Sequence, residues 1–141
     1  MAELVSVCML AYNHGKWIDR AISSIIEQEV DFEFKLYIHD DASNDDTRSI
    51  VEKWAHNYPG KIYAVLQEEN QYSKGVKIIP DIIIPHTEGK YIALCEGDDY
   101  WVDSQKLKKQ VDYLEKHPDC TLSFSNAEIV DVNNKYNEPI N

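Results

Sequence analysis

Three strand-like runs, residues 4–10, 33–39 and 91–95, each give way abruptly to a polar cluster. The clusters are Ala11-Tyr12-Asn13, Asp40-Asp41 and Glu96-Gly97-Asp98-Asp99. The first and third runs are short and apolar, which reads as buried strand. After the first, Trp17, Ile18, Ala21, Ile22, Ile25 and Ile26 recur at the spacing of one helical face, predicting a helix over residues 16–29. After the second, Ile50, Val51, Trp54, Ala55 and Tyr58 predict another. Ser43 or Asn44 would cap it, and Pro59-Gly60 would stop it. Strand and helix in alternation imply an α/β fold, a mostly parallel sheet with helices on both faces. Such a sheet gathers its strand C-termini along one edge, where open α/β sheets bind ligands.

The rest of the chain fits this plan. Residues 61–66 predict a strand and 68–75 a loop. The Ile-rich segment 76–86 contains Pro80 and Pro85, which disfavour both helix and strand interiors; it predicts a short, interrupted helix. Ser104 would cap a last helix carrying Leu107, Val111 and Leu114 inward, with Pro118 beyond its end. Residues 121–124 predict a further strand. A length of 141 residues suits one domain, expected over residues 1–130, with a polar, frayed tail at 131–141. The net charge of −11 excludes a nucleic-acid polymer as partner, since that needs a basic face. No apolar run approaches the roughly 20 residues of a membrane helix, and no signal peptide precedes the first strand, so a cytoplasmic protein is expected. Cys8, Cys95 and Cys120 lack the paired spacing of a zinc site and read as reduced thiols.

The acidic cluster carries the chemistry. Two carboxylates about 4–6 Å apart repel by roughly 3–4 kcal/mol at an effective dielectric near 20. A hard cation such as Mn²⁺ or Mg²⁺, which takes oxygen ligands, would relieve that repulsion. No glycine-rich dinucleotide fingerprint follows the first strand, and no Walker loop occurs. Phosphates at this edge would therefore have to be held by a metal.

These residues together resemble the family-2 glycosyltransferases, inverting enzymes of the GT-A fold that use nucleotide-diphosphate sugars. The resemblance rests on Val5-Ser6-Val7-Cys8-Met9-Leu10-Ala11-Tyr12-Asn13, then Ala21-Ile22-Ser23-Ser24-Ile25 with Gln28. It continues through Asp40-Asp41-Ala42-Ser43-Asn44-Asp45-Asp46-Thr47, Glu88-Gly89-Lys90-Tyr91-Ile92 and Glu96-Gly97-Asp98-Asp99. Order and spacing agree over residues 4–130. The resemblance implies that Ala11 and Tyr12 line a base pocket and that Asp41 hydrogen-bonds the base edge. It implies that Asp98 contacts the ribose or sugar and that Asp99 binds Mn²⁺ or Mg²⁺ through the diphosphate. Glu96 stands where the family's Asp-x-Asp-Asp pattern begins and is a second candidate metal ligand, one methylene longer. Lys74 reads as a solvated lysine with a lesser claim on the phosphates. Tyr100 and Trp101 read as sugar-site border or core, and His14 and His39 as structural.

The resemblance also implies the partners: a nucleotide-sugar donor, with UDP preferred over dTDP and GDP, and a sugar or lipid-linked acceptor. It implies work on surface polysaccharide, at the inner face of a membrane reached through other segments. The family's catalytic base lies beyond the metal motif in the acceptor half, so this chain is expected to be a donor half, truncated after that motif. The alternative is a non-catalytic nucleotide-binding module. A phosphoacceptor receiver domain would need acids after the first strand, and a sugar nucleotidyltransferase a longer basic glycine-rich loop there; neither is present.

Overall fold

The computed structural model describes residues 2–130 and 136–139. Four parallel strands form one sheet in the order β3-β2-β1-β4: β1 (Val5–Ala11), β2 (Phe34–Asp40), β3 (Ile62–Leu66) and β4 (Tyr91–Leu94). The register pairs Val5 with both Phe34 and Tyr91, and Ala11 with Asp40. β1 is therefore central, and the strand ends lie together.

The odd-numbered residues of β1 and the even-numbered residues of β2 face one way, as the alternation of side chains along a strand requires. They meet three helices: α1 (Ile18–Ile26), α2 (Thr47–Asn57) and α3 (Lys106–Lys116). Val7, Met9 and Leu36 of the sheet are buried against Ile18, Ile22 and Ile25 of α1, Val51 of α2, and Leu107 and Val111 of α3. The opposite face is covered by the segment expected to be an interrupted helix. It is one wide π-helical stretch, Ile78–Ile83, followed by a 3-10 turn, Ile84–His86. Pro80 and Pro85 explain why it is not α-helical, since each lacks an N–H for the α ladder. Ile78 and Ile83 pack there on Cys8 and Tyr37.

Three sequence expectations are corrected. The run 91–95 is not buried on both faces: Ile92 and Leu94 are exposed, because β4 is an edge strand among the described residues. Residues 121–124 form no strand, and Leu122 and Phe124 are exposed. Ser104 does not cap α3; the Gln105 N–H donates instead to the Asp103 carboxylate at 2.8 Å. The 3-10 turn Tyr72–Lys74 interrupts the loop 68–75. Of the expected tail, residues 131–135, 140 and 141 lie outside the described residues, while Tyr136–Pro139 pair with Glu128–Val130.

At the end of the sheet remote from the polar clusters, Glu3 ties β1, β2 and the segment leading into β4. Its carboxylate accepts from the Ser6 hydroxyl at 2.5 Å, the Tyr37 hydroxyl at 2.8 Å and the Glu88 N–H at 3.3 Å. Burial alone would raise its pKa; these donors and Lys35 more than offset that, and the net shift is downward. A depressed carboxylate stabilises the fold above its unfolded pKa and loses that contribution as pH falls through the folded value. Glu3→Gln is therefore expected to cost about 1–3 kcal/mol at neutral pH. Urea denaturation at a series of pH values should show the variant and the wild type converging below the ordinary glutamate pKa of about 4.3.

Candidate functional site

The C-terminal edge of the sheet is built by two turns that grip each other. The turn after β1 places Asn13 at φ +52°, and the turn after β2 places Ala42 at φ +61°. The Asn13 N–H donates to the Ser43 hydroxyl at 3.0 Å, and the Asn44 N–H donates back to Asn13 Oδ1 at 2.8 Å. His14 N–H donates to Thr47 Oγ1 at 2.9 Å, and Gly15 N–H to Asp45 Oδ2 at 2.9 Å. The Ser43 hydroxyl is thus spent on the neighbouring turn, and neither Ser43 nor Asn44 caps α2. Asp45 takes the Thr47 N–H at 3.0 Å in their place. Asp40, fully buried, accepts from the Ser43 hydroxyl and closes its own turn.

Onto this edge comes the acidic turn after β4. Gly97 N–H donates to the Leu10 carbonyl at 3.0 Å, continuing the β1–β4 pairing past Cys95. Asp99 N–H donates to the Glu96 carbonyl at 3.1 Å, so the segment folds back on itself. Only glycine fits at position 97. A Cβ there would stand 2.7 Å from His14 Nδ1 and 3.2 Å from the Ala11 Cβ. His14, which carried no assigned partner in the sequence, sits across this glycine with Nε2 3.8 Å from Asp98 Oδ2, within ion-pair range. Glu96 has its pKa raised by burial and by Asp98 and Asp99. Asp99 has its pKa raised by burial and by Asp98, with His14 acting in the opposite sense. These are the signs of negative charge gathered beyond what the protein neutralises.

Among the described residues no three His, Cys, Asp or Glu side chains converge as a complete chelate. The carboxylate oxygens of Glu96, Asp98 and Asp99 are the donor type that Mg²⁺ and Mn²⁺ take.

The candidates for the base pocket are close by. The Ala11 carbonyl accepts the Asp41 N–H at 3.0 Å, and its side chain is buried beside Gly97. Tyr12 is 43% exposed at the same edge. Asp41 is different: its side chain is only 2% exposed. One carboxylate oxygen accepts the Gln71 N–H at 2.7 Å and the other the Tyr72 N–H at 3.1 Å. His39 Nε2 lies 3.2 Å from the first, and Asn70 Nδ2 donates to the Asp41 carbonyl at 3.1 Å. Burial raises its pKa, but the two amides and His39 more than offset that and hold it low. The structure thus brings Ala11, Tyr12, Asp41, Glu96, Asp98 and Asp99 to one edge, with Asp41 turned into the 70–72 turn.

Residues passed over in the sequence complete the picture. His14 and His39 both touch candidate residues, although the sequence offers only their positions in polar strand ends as a signal. Lys74 pairs with Glu69. Trp101 packs against the core under Lys106, and Tyr100 stacks beneath Arg20 at 3.6 Å. Both aromatics are thereby engaged by the protein.

Two substitutions separate packing from charge. Gly97→Ala overpacks the junction of β1, His14 and the acidic turn, and is expected to cost about 1–3 kcal/mol in urea denaturation. Asp98→Asn removes the charge that repels Glu96 and Asp99. Because the group is half exposed, the expected gain is only about 0.2–1 kcal/mol in metal-free buffer.

The family model described as glycosyl transferase family 2 matches residues 6–140. An uncharacterised protein of Mycobacterium tuberculosis is 36% identical over 126 residues, covering 89% of this chain and 36% of that protein. The Escherichia coli UDP-Glc:alpha-D-GlcNAc-diphosphoundecaprenol beta-1,3-glucosyltransferase WfaP is 32% identical over 124 residues, covering 88% of this chain and 46% of WfaP. The structure of Staphylococcus aureus TarS 1-349 in complex with UDP-GlcNAc superimposes with a TM-score of 0.68 at 27% identity, covering 84% of this chain and 32% of that one. This chain spans less than half the length of each. The sheet, its helices and its turns are those of a GT-A fold, and the chain belongs to glycosyl transferase family 2.

Proposed function

We propose that residues 1–130 are the donor-binding part of a glycosyltransferase that uses a nucleotide-diphosphate sugar, with UDP the preferred nucleotide. The observation that carries this reading is the convergence of Ala11, Tyr12, Asp41 and the Glu96–Asp99 turn on one sheet edge in a family-2 chain. The UDP-GlcNAc complex of TarS and the UDP-Glc chemistry in the name of WfaP support the choice of nucleotide. WfaP's name also supports a lipid-linked sugar as the acceptor class and surface polysaccharide as the product. No helix among the described residues is long and apolar enough to cross a membrane. The proposed setting is the cytoplasm, at the inner face of the membrane where a lipid-linked acceptor would be met.

Each residue has a place in the chemistry. Ala11 and Tyr12 line the base pocket, the tyrosine offering its exposed ring. Asp41 defines the edge of that pocket together with the 70–72 turn standing on its carboxylate. Asp98, exposed beside His14, faces the ribose or sugar. Asp99, with Glu96 as the second candidate, would hold Mn²⁺ or Mg²⁺. The ion when bound would offset charge developing on the departing diphosphate. In the reaction an acceptor hydroxyl attacks the anomeric carbon in line. The carbon–oxygen bond to the diphosphate breaks, the hydroxyl proton passes to a base, and the configuration inverts. The edge contributes by fixing the donor so that one face of the sugar is open to attack.

Calorimetry with UDP tests this. Mn²⁺ is expected to tighten binding about tenfold or more over EDTA, as a charge-neutralising contact to a diphosphate should. Asp99→Ala should abolish that gain while leaving the metal-free affinity unchanged. Absence of binding by UDP, dTDP and GDP alike in Mn²⁺ would overturn the donor-site reading.

A further inference from the structure

His39 is fully buried on β2, on the sheet face opposite α1. Its Nδ1 is buried with no hydrogen-bond partner. An aliphatic side chain would fill that volume without leaving a desolvated nitrogen unpaired, so the fold alone gives no reason for a histidine. What the imidazole does have is Nε2 at 3.2 Å from Asp41 Oδ1. A carboxylate only accepts, so Nε2 carries the proton and donates. The same carboxylate holds the backbone of the next structural layer through the Gln71 and Tyr72 amides. Beyond those amides the chain runs on through the 3-10 turn Tyr72–Lys74 to Gly75 at φ +81°. There Tyr72, Ser73, Gly75 and Val76 line an open cavity of about 550 Å³ together with Leu10 of β1 and the segment 77–80.

We propose that His39 is a positioning residue of the nucleotide site. It fixes the Asp41 carboxylate in the one orientation that presents both oxygens to the 70–72 turn, and so sets the wall against which the base is read. The arrangement is a relay of three links: imidazole, carboxylate, turn. Removing the first link leaves the carboxylate free to rotate about its own bonds, and the turn loses its fixed seat. The inference rests on the donor-site reading for its functional part, but the relay itself is a property of the free protein.

The experiment compares wild type with His39→Leu and His39→Gln, the glutamine keeping an N–H donor at the end of the side chain. The first readout is amide hydrogen exchange at Gln71 and Tyr72 in ligand-free protein. The second is the ratio of UDP to CDP affinity in Mn²⁺, since uracil carries a ring N–H where cytosine carries a lone pair. His39→Leu is expected to speed exchange at those two amides by about tenfold and to lower the UDP to CDP ratio several-fold, the loss of one charge-assisted hydrogen bond. Melting temperature and exchange in β1 should stay as in wild type, and His39→Gln should restore both readouts to within about twofold. A merely structural histidine would weaken UDP and CDP binding equally and leave the two amides alone. Unchanged exchange in His39→Leu, or failure of the glutamine to rescue a folded variant, would overturn the proposal. If wild type binds no UDP, the donor-site reading falls by itself, and the exchange measurement still decides whether His39 positions the turn.

Discussion

Every candidate residue hangs on the last two carbonyls of β1. The Leu10 carbonyl takes the Gly97 N–H from one side, and the Ala11 carbonyl takes the Asp41 N–H from the other. One bond brings in the acidic turn and the other Asp41. Both depend on parallel register, because only strands that run the same way deliver their C-termini to a common edge. The buried face beneath, where α1 seals Val7, Met9 and Leu36, keeps β1 from shifting. The site is therefore a consequence of strand pairing first and of side-chain chemistry second.

That edge stores unfavourable charge. Glu96 and Asp99 hold their protons more tightly than free carboxylates, through burial and through Asp98. His14 lies across the turn, within ion-pair range of Asp98. On the proposed function, a cation held together with a diphosphate would offset the charge of these carboxylates. Asp41 is the counterpart: a carboxylate held well ionised, with every oxygen occupied by the protein.

Much of this was legible in the sequence because it rested on local patterns. The apolar spacing of Ile18, Ala21, Ile22 and Ile25 named the buried face of α1, and Pro80 with Pro85 marked the segment before β4 as an interrupted one. The acidic turn stood out as three carboxylates at the end of an apolar run. What escaped was decided by partners distant in the chain. Leu94 is apolar, yet nothing in its neighbours says that β4 is an edge strand. Residues 121–124 have strand composition but no partner to pair with. Ser43 suits a helix cap until Asn13, about thirty residues earlier, engages its hydroxyl. His39 read only as structural, since its contact is with a carboxylate two residues on that is folded back beneath a turn thirty residues later.

The central claim is that the carboxylate edge becomes a metal site only when a diphosphate joins it. Paramagnetic broadening of backbone amides by Mn²⁺, recorded with and without UDP, tests this most directly. A chain of net charge −11 will attract Mn²⁺ loosely at many points, so the UDP-dependent part is the informative one. The account predicts that UDP adds strong broadening confined to residues 96–100 and the facing turn at 12–15. Broadening that is the same with and without UDP, or that UDP directs elsewhere on the surface, would contradict it.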